Sequence, residues 1–443
     1  NLLWQYCCEK LPTGKVHDWP EMGICSTPLV EGDRLWFVSS RGEVVCLDAE
    51  GFRDQENDGP AIDEPFTRES EADVIWRLDM MHEFGVRQHN MANCSVTTAV
   101  DVLLVCTGNG IDRSHERVAA SDAPSFLGIH KHTGRVIWKD DSPGDTILHG
   151  HWSSPAVAMT GDVTQAIFAG GDGWLYSFDP QGDGRGRAKR IWKFDCNSKM
   201  SRWIDGHRGE RNNIIATPVV HRQHVYVATG RDPEKPAGQA RLWCIDTTKR
   251  VDGSYVSEEL SFDPEGKLLP RRRTQAVDRS RGETVRANPQ SAARWCYTGQ
   301  DRNRDGKLVH CERMHRTTSS VAIKDGLLIA VDISGVVHCL DADSGNAHWT
   351  YDTLAEIWSS PLIVGDRVIV SSSDGVIYVF MLSANPQTAM READGRSTPV
   401  LEWDLGGAIH ATPTVSKGVL YVATLRELFA LNLCEGAEKR KTS

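Results

Sequence analysis

The chain has 443 residues, 40% of them apolar and 25% charged, and carries a formal charge of -10. This composition fills a large core and excludes low-complexity and disordered classes, while the acidic balance argues against nucleic acid, whose backbone demands clustered Lys and Arg. No window holds the roughly 18 uninterrupted apolar residues of a membrane helix, and the short basic run Arg271 to Arg273 reads as a solvated loop.

Taken in order from the N-terminus, the chain repeats itself. Trp4 in LLW opens a series continued by Trp76 and Trp138 (VIW), Trp192 (RIW), Trp295 (ARW), Trp349 (AHW) and Trp403 (LEW). Between these tryptophans run small polar starts: ICSTPLV, NCSVTTAV, HWSSPAVA, IATPVV, RTTSSVAI, IWSSPLIV and IHATPTV. Each start leads into period-2 strands broken by Ser-Gly or Asp-Gly turns, as in DRLWFVSSRGEVVCLDAEG from Asp33. That pattern means antiparallel hairpins with one face to bury. Four short strands cannot close a core alone, so the repeat predicts an all-β fold, a seven-bladed propeller of four-stranded antiparallel blades over residues 1–443. Trp4 precedes the first small polar start, so the N-terminal strand is expected to complete the last blade and close the ring, removing its open edges.

Elaborations interrupt this register. Blade two carries GIDRSHERVAASDAPS from Gly110, and blade four a polar, Pro-containing insertion over 256–291, expected on the surface. The tryptophan-to-tryptophan spacing there is nearly doubled. Twelve cysteines need placing before they imply disulfides; Cys46, Cys244 and Cys339 share one position before or near an Asp and read as small buried side chains. Cys7-Cys8 is the adjacent pair. With no leader before Asn1, the chain reads as a mature or truncated product.

Between blades four and five lies Asp301-Arg-Asn-Arg-Asp-Gly-Lys-Leu-Val-His-Cys-Glu312, with the spacing of an EF-hand calcium loop. Asp301, Asn303 and Asp305 supply hard oxygens, Gly306 allows the sharp turn, the Lys307 carbonyl adds one oxygen and Glu312 can bind with two. Arg302, Arg304 and Lys307 lower the local charge, which points to weak, extracellular-type affinity. No helices flank the loop, so it reads as a structural clamp rather than a sensor.

The seven tryptophans, GGDGWLYSFDPQGDGRG (Gly170 to Gly186) and HCLDADSGNAHW resemble the pyrroloquinoline-quinone-like propeller repeat family, of the quinoprotein alcohol dehydrogenase-like superfamily, over nearly the whole chain. HDWPEMGICSTP, HNMANCS and HGHWSSP are similar to phrases of uncharacterised bacterial propeller proteins common in planctomycetes. The fold so implied serves quinone-dependent dehydrogenases and outer-membrane assembly lipoproteins alike, both exported, so the resemblance implies a periplasmic or cell-surface location. In the dehydrogenases, calcium sits beside the quinone and an adjacent-cysteine disulfide stacks on it; Cys7-Cys8 follows Trp4 in an outer strand, away from the axis. No Cys-x-x-Cys-His haem motif and no Gly-x-Ser-x-Gly nucleophile motif is present.

Residues entering the inner strands ring one mouth of a propeller channel. In register these are His89 with Asn90, His149 with His151, Arg211 to Asn213, His315 with Arg316, Glu356 with Trp358, and His410. They read first as a hydrated polar pore mouth and second as a funnel for a metal, an anion or an acidic ligand. The sequence as a whole predicts a non-catalytic exported scaffold or binding module, stabilised by calcium, that takes a protein partner or small ligand at a propeller face. The alternative is an oxidoreductase using pyrroloquinoline quinone (PQQ) in the axial funnel.

Overall fold

The structure is a computed structural model that describes residues 2–204, 209–231, 238–249, 253–273 and 276–432. Its strands pair antiparallel within successive short sheets, as the period-2 pattern requires. The chain forms two compact units, one of residues 1–223 with 247–292, the other of 224–246 with 293–443.

The first unit contains three full sheets. Strands Leu29–Glu31, Arg34–Val38, Glu43–Asp48 and Val74–Asp79 make the first, and Thr97–Ala99, Val102–Cys106, Phe126–His130 and Val136–Asp140 the second. The third, Ala156–Thr160, Val163–Ala169, Trp174–Asp179 and Lys189–Asp195, gains a fifth strand when Ser254–Tyr255 joins it in parallel. In the second unit, His224–Ala228, Leu242–Asp246 and Ala293–Tyr297 pair, followed by two complete four-stranded sheets from Ala322 to Asp352 and from Leu362 to Asp404. A last sheet comprises Thr414–Ser416, Val419–Ala423 and Leu428–Asn432.

Two repeated contacts join consecutive sheets inside each unit. The tryptophan of a sheet's outer strand donates its indole N–H to a turn carbonyl of the next sheet: Trp76 to Lys131 at 3.1 Å, Trp138 to Pro180 at 2.7 Å, Trp295 to Ala342 at 3.1 Å and Trp349 to Ser383 at 2.8 Å. A turn glycine meets the face of the ring. At Gly134, Gly182 and Gly345 a methyl carbon would lie 2.8, 2.8 and 2.6 Å from Trp76, Trp138 and Trp295, and all three glycines have left-handed φ. Only glycine satisfies both demands. Each buried indole contributes roughly 4–6 kcal/mol of gross burial.

The small polar starts form the second contact. The Thr27 amide donates to Ser95 Oγ at 2.9 Å, and the Ser95 amide to Ser154 Oγ at 2.9 Å. In the second unit Ser320 donates to Ser360 Oγ at 3.0 Å and Ser360 to Thr412 Oγ1 at 2.9 Å. An inner strand has no lateral ladder partner there, so hydroxyls of the neighbouring repeat satisfy its first N–H.

Among the described residues no ladder joins the N-terminal segment to the last sheet, and two expectations need correcting. Trp4 does dock like its counterparts, donating to Ala49 O at 2.9 Å beside Gly51. However, the backbone pairing of the N-terminus is a parallel bridge from Gln5 to Glu71 in the first unit, and the last sheet has three strands among the described residues. The 256–291 insertion is not simply surface: Val256 and Ser257 are buried, its hairpin (Glu259–Phe262 with Thr284–Ala287) belongs to the first unit, and it leaves the outer strand Ala293–Tyr297 to the second. Nor is Arg271 to Arg273 solvated. Arg271 pairs with Asp172 at 2.7 Å and bonds Tyr176 and the Ser142 carbonyl, Arg272 pairs with Glu283 at 2.6 Å, and Arg273 bonds Ile147 O at 2.8 Å. A guanidinium drawn from water in this way needs such partners, and here one lies 99 residues away in sequence.

The expected burial of Cys46, Cys244 and Cys339 holds. Cys7 and Cys8 are free thiols, and Cys434 lies outside the described residues.

Gly345→Ala should test the docking contact. It combines left-handed strain with overpacking on Trp295, costing about 2–4 kcal/mol, whereas Gly326→Ala, with φ +78° and open space around it, should cost only about 1–2 kcal/mol. Equal losses for the two in chemical denaturation would show that the ring contact is not tight.

Candidate functional site

The inner-strand entries predicted as a funnel divide between the units. His89, His149, His151 and Arg211 lie in the first, and His315, Arg316, Trp358 and His410 in the second.

In the first unit His89 and His149 meet. Their Nε2 atoms are 2.9 Å apart, and His89 Nδ1–H donates to Ile111 O at 2.9 Å. His115, from the blade-two elaboration, completes a cluster in which one ligand atom from each of His89, His115 and His149 lies within 4.8 Å of the others. Trp152 flanks it, with its ring centroid 4.7 Å from that of His149.

His151 does not join them. It is fully buried against Phe126, and its Nδ1 accepts the Gly171 N–H at 2.9 Å. Burial, with a smaller contribution from Arg271, lowers its pKa to about 3, so it stays a neutral core residue. Arg211 is likewise structural in setting: it donates to Asp195 at 2.9 Å, and Lys199 pairs with the same carboxylate at 2.6 Å. Burial opposes ionisation of Asp195, but the two cations outweigh it and lower its pKa.

The second unit holds a different network. Asp332, completely buried, accepts the His315 backbone N–H at 3.0 Å, His315 Nδ1–H at 3.0 Å and His338 Nε2–H at 3.2 Å. His338 Nδ1 lies 3.1 Å from the Tyr297 hydroxyl on its other side. Burial would raise the Asp332 pKa, but hydrogen bonds from His315 and His338 prevail and hold it down to about 2. His315 stacks near His310 and lines a cavity of about 450 Å³ with Gln239, Leu308, Arg313 and Ser334. Arg316 is buried beside Gly238, whose backbone carbonyl accepts the Arg316 N–H at 3.2 Å. Separately, Trp358 stacks on His410 at 4.1 Å and donates to Glu356 at 3.1 Å.

The 301–312 loop folds around its own acidic side chains. The Asp305 and Gly306 amides donate to the Asp301 carboxylate at 3.2 and 2.7 Å, and the Asp305 amide also reaches Asn303 Oδ1 at 3.0 Å. Gly306 takes φ +83°, the left-handed turn expected of the sixth position. Glu312 is buried at the end of a 3-10 turn, His310–Glu312, and accepts the Arg302 and Val309 amides at 3.2 and 3.3 Å. Among the described residues two groups of at least three His, Cys, Asp or Glu side chains converge closely: the three histidines, and Asp48 with Asp58 and Asp73. The loop carboxylates are not so drawn together. The acidic trio already has a cation, since Arg34 pairs with Asp48 at 3.1 Å and Asp58 at 3.3 Å.

Three important residues escaped the sequence reading. Asp332 occupies the place held by Ser39 and Ser372 in equivalent hairpins, and His338 that of Val45 and Tyr378; a polar residue at an apolar repeat position was the available signal. His115 sits in an insertion, where repeat register says nothing.

Comparison with known proteins agrees with the repeat. Residues 275–438 match the family profile described as outer membrane protein assembly factor BamB. The crystal structure of BamB from Moraxella catarrhalis aligns over 97% of this chain and 84% of its own, at 14% identity and TM-score 0.51, which shows a shared fold. A europium-containing methanol dehydrogenase aligns over 90% of this chain and 81% of its own at 13% identity and TM-score 0.41. The computationally designed Ika8 protein aligns over 93% and 96% at 10% identity and TM-score 0.37. No curated protein matches the sequence. Residues 275–438 therefore resemble that family in sequence, and the chain as a whole shares the fold of the BamB structure.

Asp332→Asn should lose on the order of 3 kcal/mol of stability at neutral pH, because a neutral amide replaces a carboxylate serving two histidines. A carboxyl whose folded pKa is depressed stabilises the fold above its unfolded value, near 4, and loses that contribution as pH falls toward about 2. The gap between wild type and variant should therefore narrow from pH 5 to pH 2 in urea titrations. A gap independent of pH would show that Asp332 is not ionised in the fold.

Proposed function

We propose that the chain is a seven-bladed propeller serving as a non-catalytic, exported scaffold that binds a protein partner, with calcium clamping the 301–312 loop. The match of residues 275–438 to an outer membrane protein assembly factor carries this reading, and a partner handled at an outer membrane would suit it. No helix among the described residues is long and apolar enough to cross a membrane.

The bonding of the inner-strand groups fits a scaffold. Asp195 is spent between Arg211 and Lys199, Asp332 between two histidines, and His151 on a backbone amide. Such networks hold segments in register, which is what a partner-binding face needs from its frame. The sheets in chain order and the docking tryptophans support a count of seven blades, with Trp4 in the position of an outer strand preceding the first sheet.

Calcium fits the loop's chemistry. Asp301, Asn303, Asp305, the Lys307 carbonyl and Glu312 offer hard oxygens, and the backbone already takes the left-handed turn at Gly306. The ion would join the strand Ala293–Tyr297 to the segment that delivers His315 and Arg316, fixing a long connection within the second unit.

Native protein should show only the aromatic absorbance band and retain calcium. A quinone band would overturn the non-catalytic reading in favour of a PQQ-dependent oxidoreductase. Glu312→Gln should lower the melting temperature in calcium by several degrees and abolish the further drop caused by a chelator, since ion binding to the folded state alone raises its stability. A wild-type melting curve unchanged by chelator would rule out the clamp.

A further inference from the structure

We infer that His89, His115 and His149 form a binding site for a transition-metal dication of the zinc class. The inference stands apart from the scaffold reading and from the calcium loop, which differ from it in position and in ligand chemistry.

Three backbone segments are laced together to build this site. The Ile111 amide donates to His149 O at 2.8 Å, the His89 amide to Gly108 O at 3.1 Å, and the Gly110 amide to Arg87 O at 3.0 Å. Gly110 and Gly150 form an antiparallel bridge. The approach is so close that a methyl carbon on Gly110 would lie 2.6 Å from His149 O and 2.7 Å from His89 Cβ. Glycine at that one position lets the histidines share a point.

Ring orientation then sets the chemistry. The Ile111 carbonyl can only accept, so His89 Nδ1 carries the proton and Nε2 keeps the lone pair. Fixing one imidazole nitrogen through a carbonyl is the usual way of aiming the other at a metal. His149 Nε2 stands 2.9 Å opposite; two imidazoles on one tetrahedral zinc would stand about 3.3 Å apart, given Zn–N near 2.0–2.1 Å. Metal binding would displace the proton between them and leave both lone pairs directed at one centre. His115 supplies the third nitrogen from a residue held at φ +62°, an uncommon conformation for a side chain of its size and one that clusters at functional positions.

The donor set selects the ion. Three neutral imidazoles without a carboxylate suit zinc, copper or nickel far better than calcium or magnesium. His89 and His149 are buried while His115 is partly exposed, so ions enter from the side of the insertion. Three protein ligands leave a fourth position to water or a ligand. Trp152 closes the opposite flank, 4.7 and 5.9 Å from the two buried rings and bonded through Nε1 to His89 O at 3.3 Å.

The test is titration of the chelator-stripped, untagged full chain with Co²⁺ and with Zn²⁺. Wild type should develop the intense visible bands of tetrahedral Co²⁺ at one ion per chain, bleached by Zn²⁺. His115→Ala and, separately, His149→Asn should weaken Zn²⁺ binding by more than the roughly 10–100-fold that loss of an outer-shell partner costs. Circular dichroism will confirm that each variant is folded. Glu312→Gln and His82→Ala, the latter on an exposed side chain, should bind as wild type does. Absence of the Co²⁺ bands in wild type, or wild-type affinity in folded His115→Ala, overturns the site.

Discussion

An indole pressed against a turn glycine of the following sheet is the contact on which the rest of this structure depends. It fixes the separation of neighbouring sheets, because the ring fills the gap, and their register, because the indole N–H has one carbonyl to reach. Each sheet alone is too small to bury its faces. Docked through Trp76 and Trp138 in the first unit, and through Trp295 and Trp349 in the second, consecutive sheets form a continuous core. Where the contact is altered, the structure changes character. Trp192 turns its N–H to Gln165 in its own sheet, 2.8 Å away, and Trp403 is 45% exposed.

Because docking and the hydroxyl links of the inner strands recur with the repeat, the residues that make them stood out in the sequence as markers of the repeat. The small polar starts were visible as STP, SSP and ATP before their purpose was; Ser95, Ser154, Ser360 and Thr412 show it, each accepting an amide from the preceding repeat. What the sequence could not show are pairings that an insertion forms with distant strands and turns. Arg271 looked like part of a solvated basic run because its partners, Asp172 and Tyr176, lie in a strand and turn far away in sequence. Composition cannot tell an exposed arginine from one paired across 99 residues.

The same distinction divides the candidate sites. Register found His89, His149 and His315, because all three precede inner strands, and it also brought in His151, which precedes one too but faces the core. Period alone gives a residue's place along the chain and not the direction of its side chain once the backbone leaves the strand. His115 and Asp332 were missed for opposite reasons. His115 has no repeat position, whereas Asp332 has one and departs from it, replacing the serine of equivalent hairpins. A buried carboxylate at that point commits its neighbours: it needs His315 and His338 as donors, and the strand position of His338 became polar to provide one.

The two proposed metal sites also illustrate a division of labour that follows from ligand hardness. The 301–312 loop is local in sequence, so its backbone can pre-form much of the geometry, as the Asp301 and Asn303 bonds to amides at 305 and 306 show. A hard, flexible oxygen cage tolerates such a loop and tunes its affinity through net charge. The histidine cluster is assembled instead from residues spanning 89 to 149, brought together by hydrogen bonds between connections that flank the second sheet. Imidazole ligands demand fixed directions, and fixed directions need a frame. The docked sheets supply that frame, so the softer site depends on the tryptophan contact between the first three sheets in a way the calcium loop, carrying its own geometry, does not.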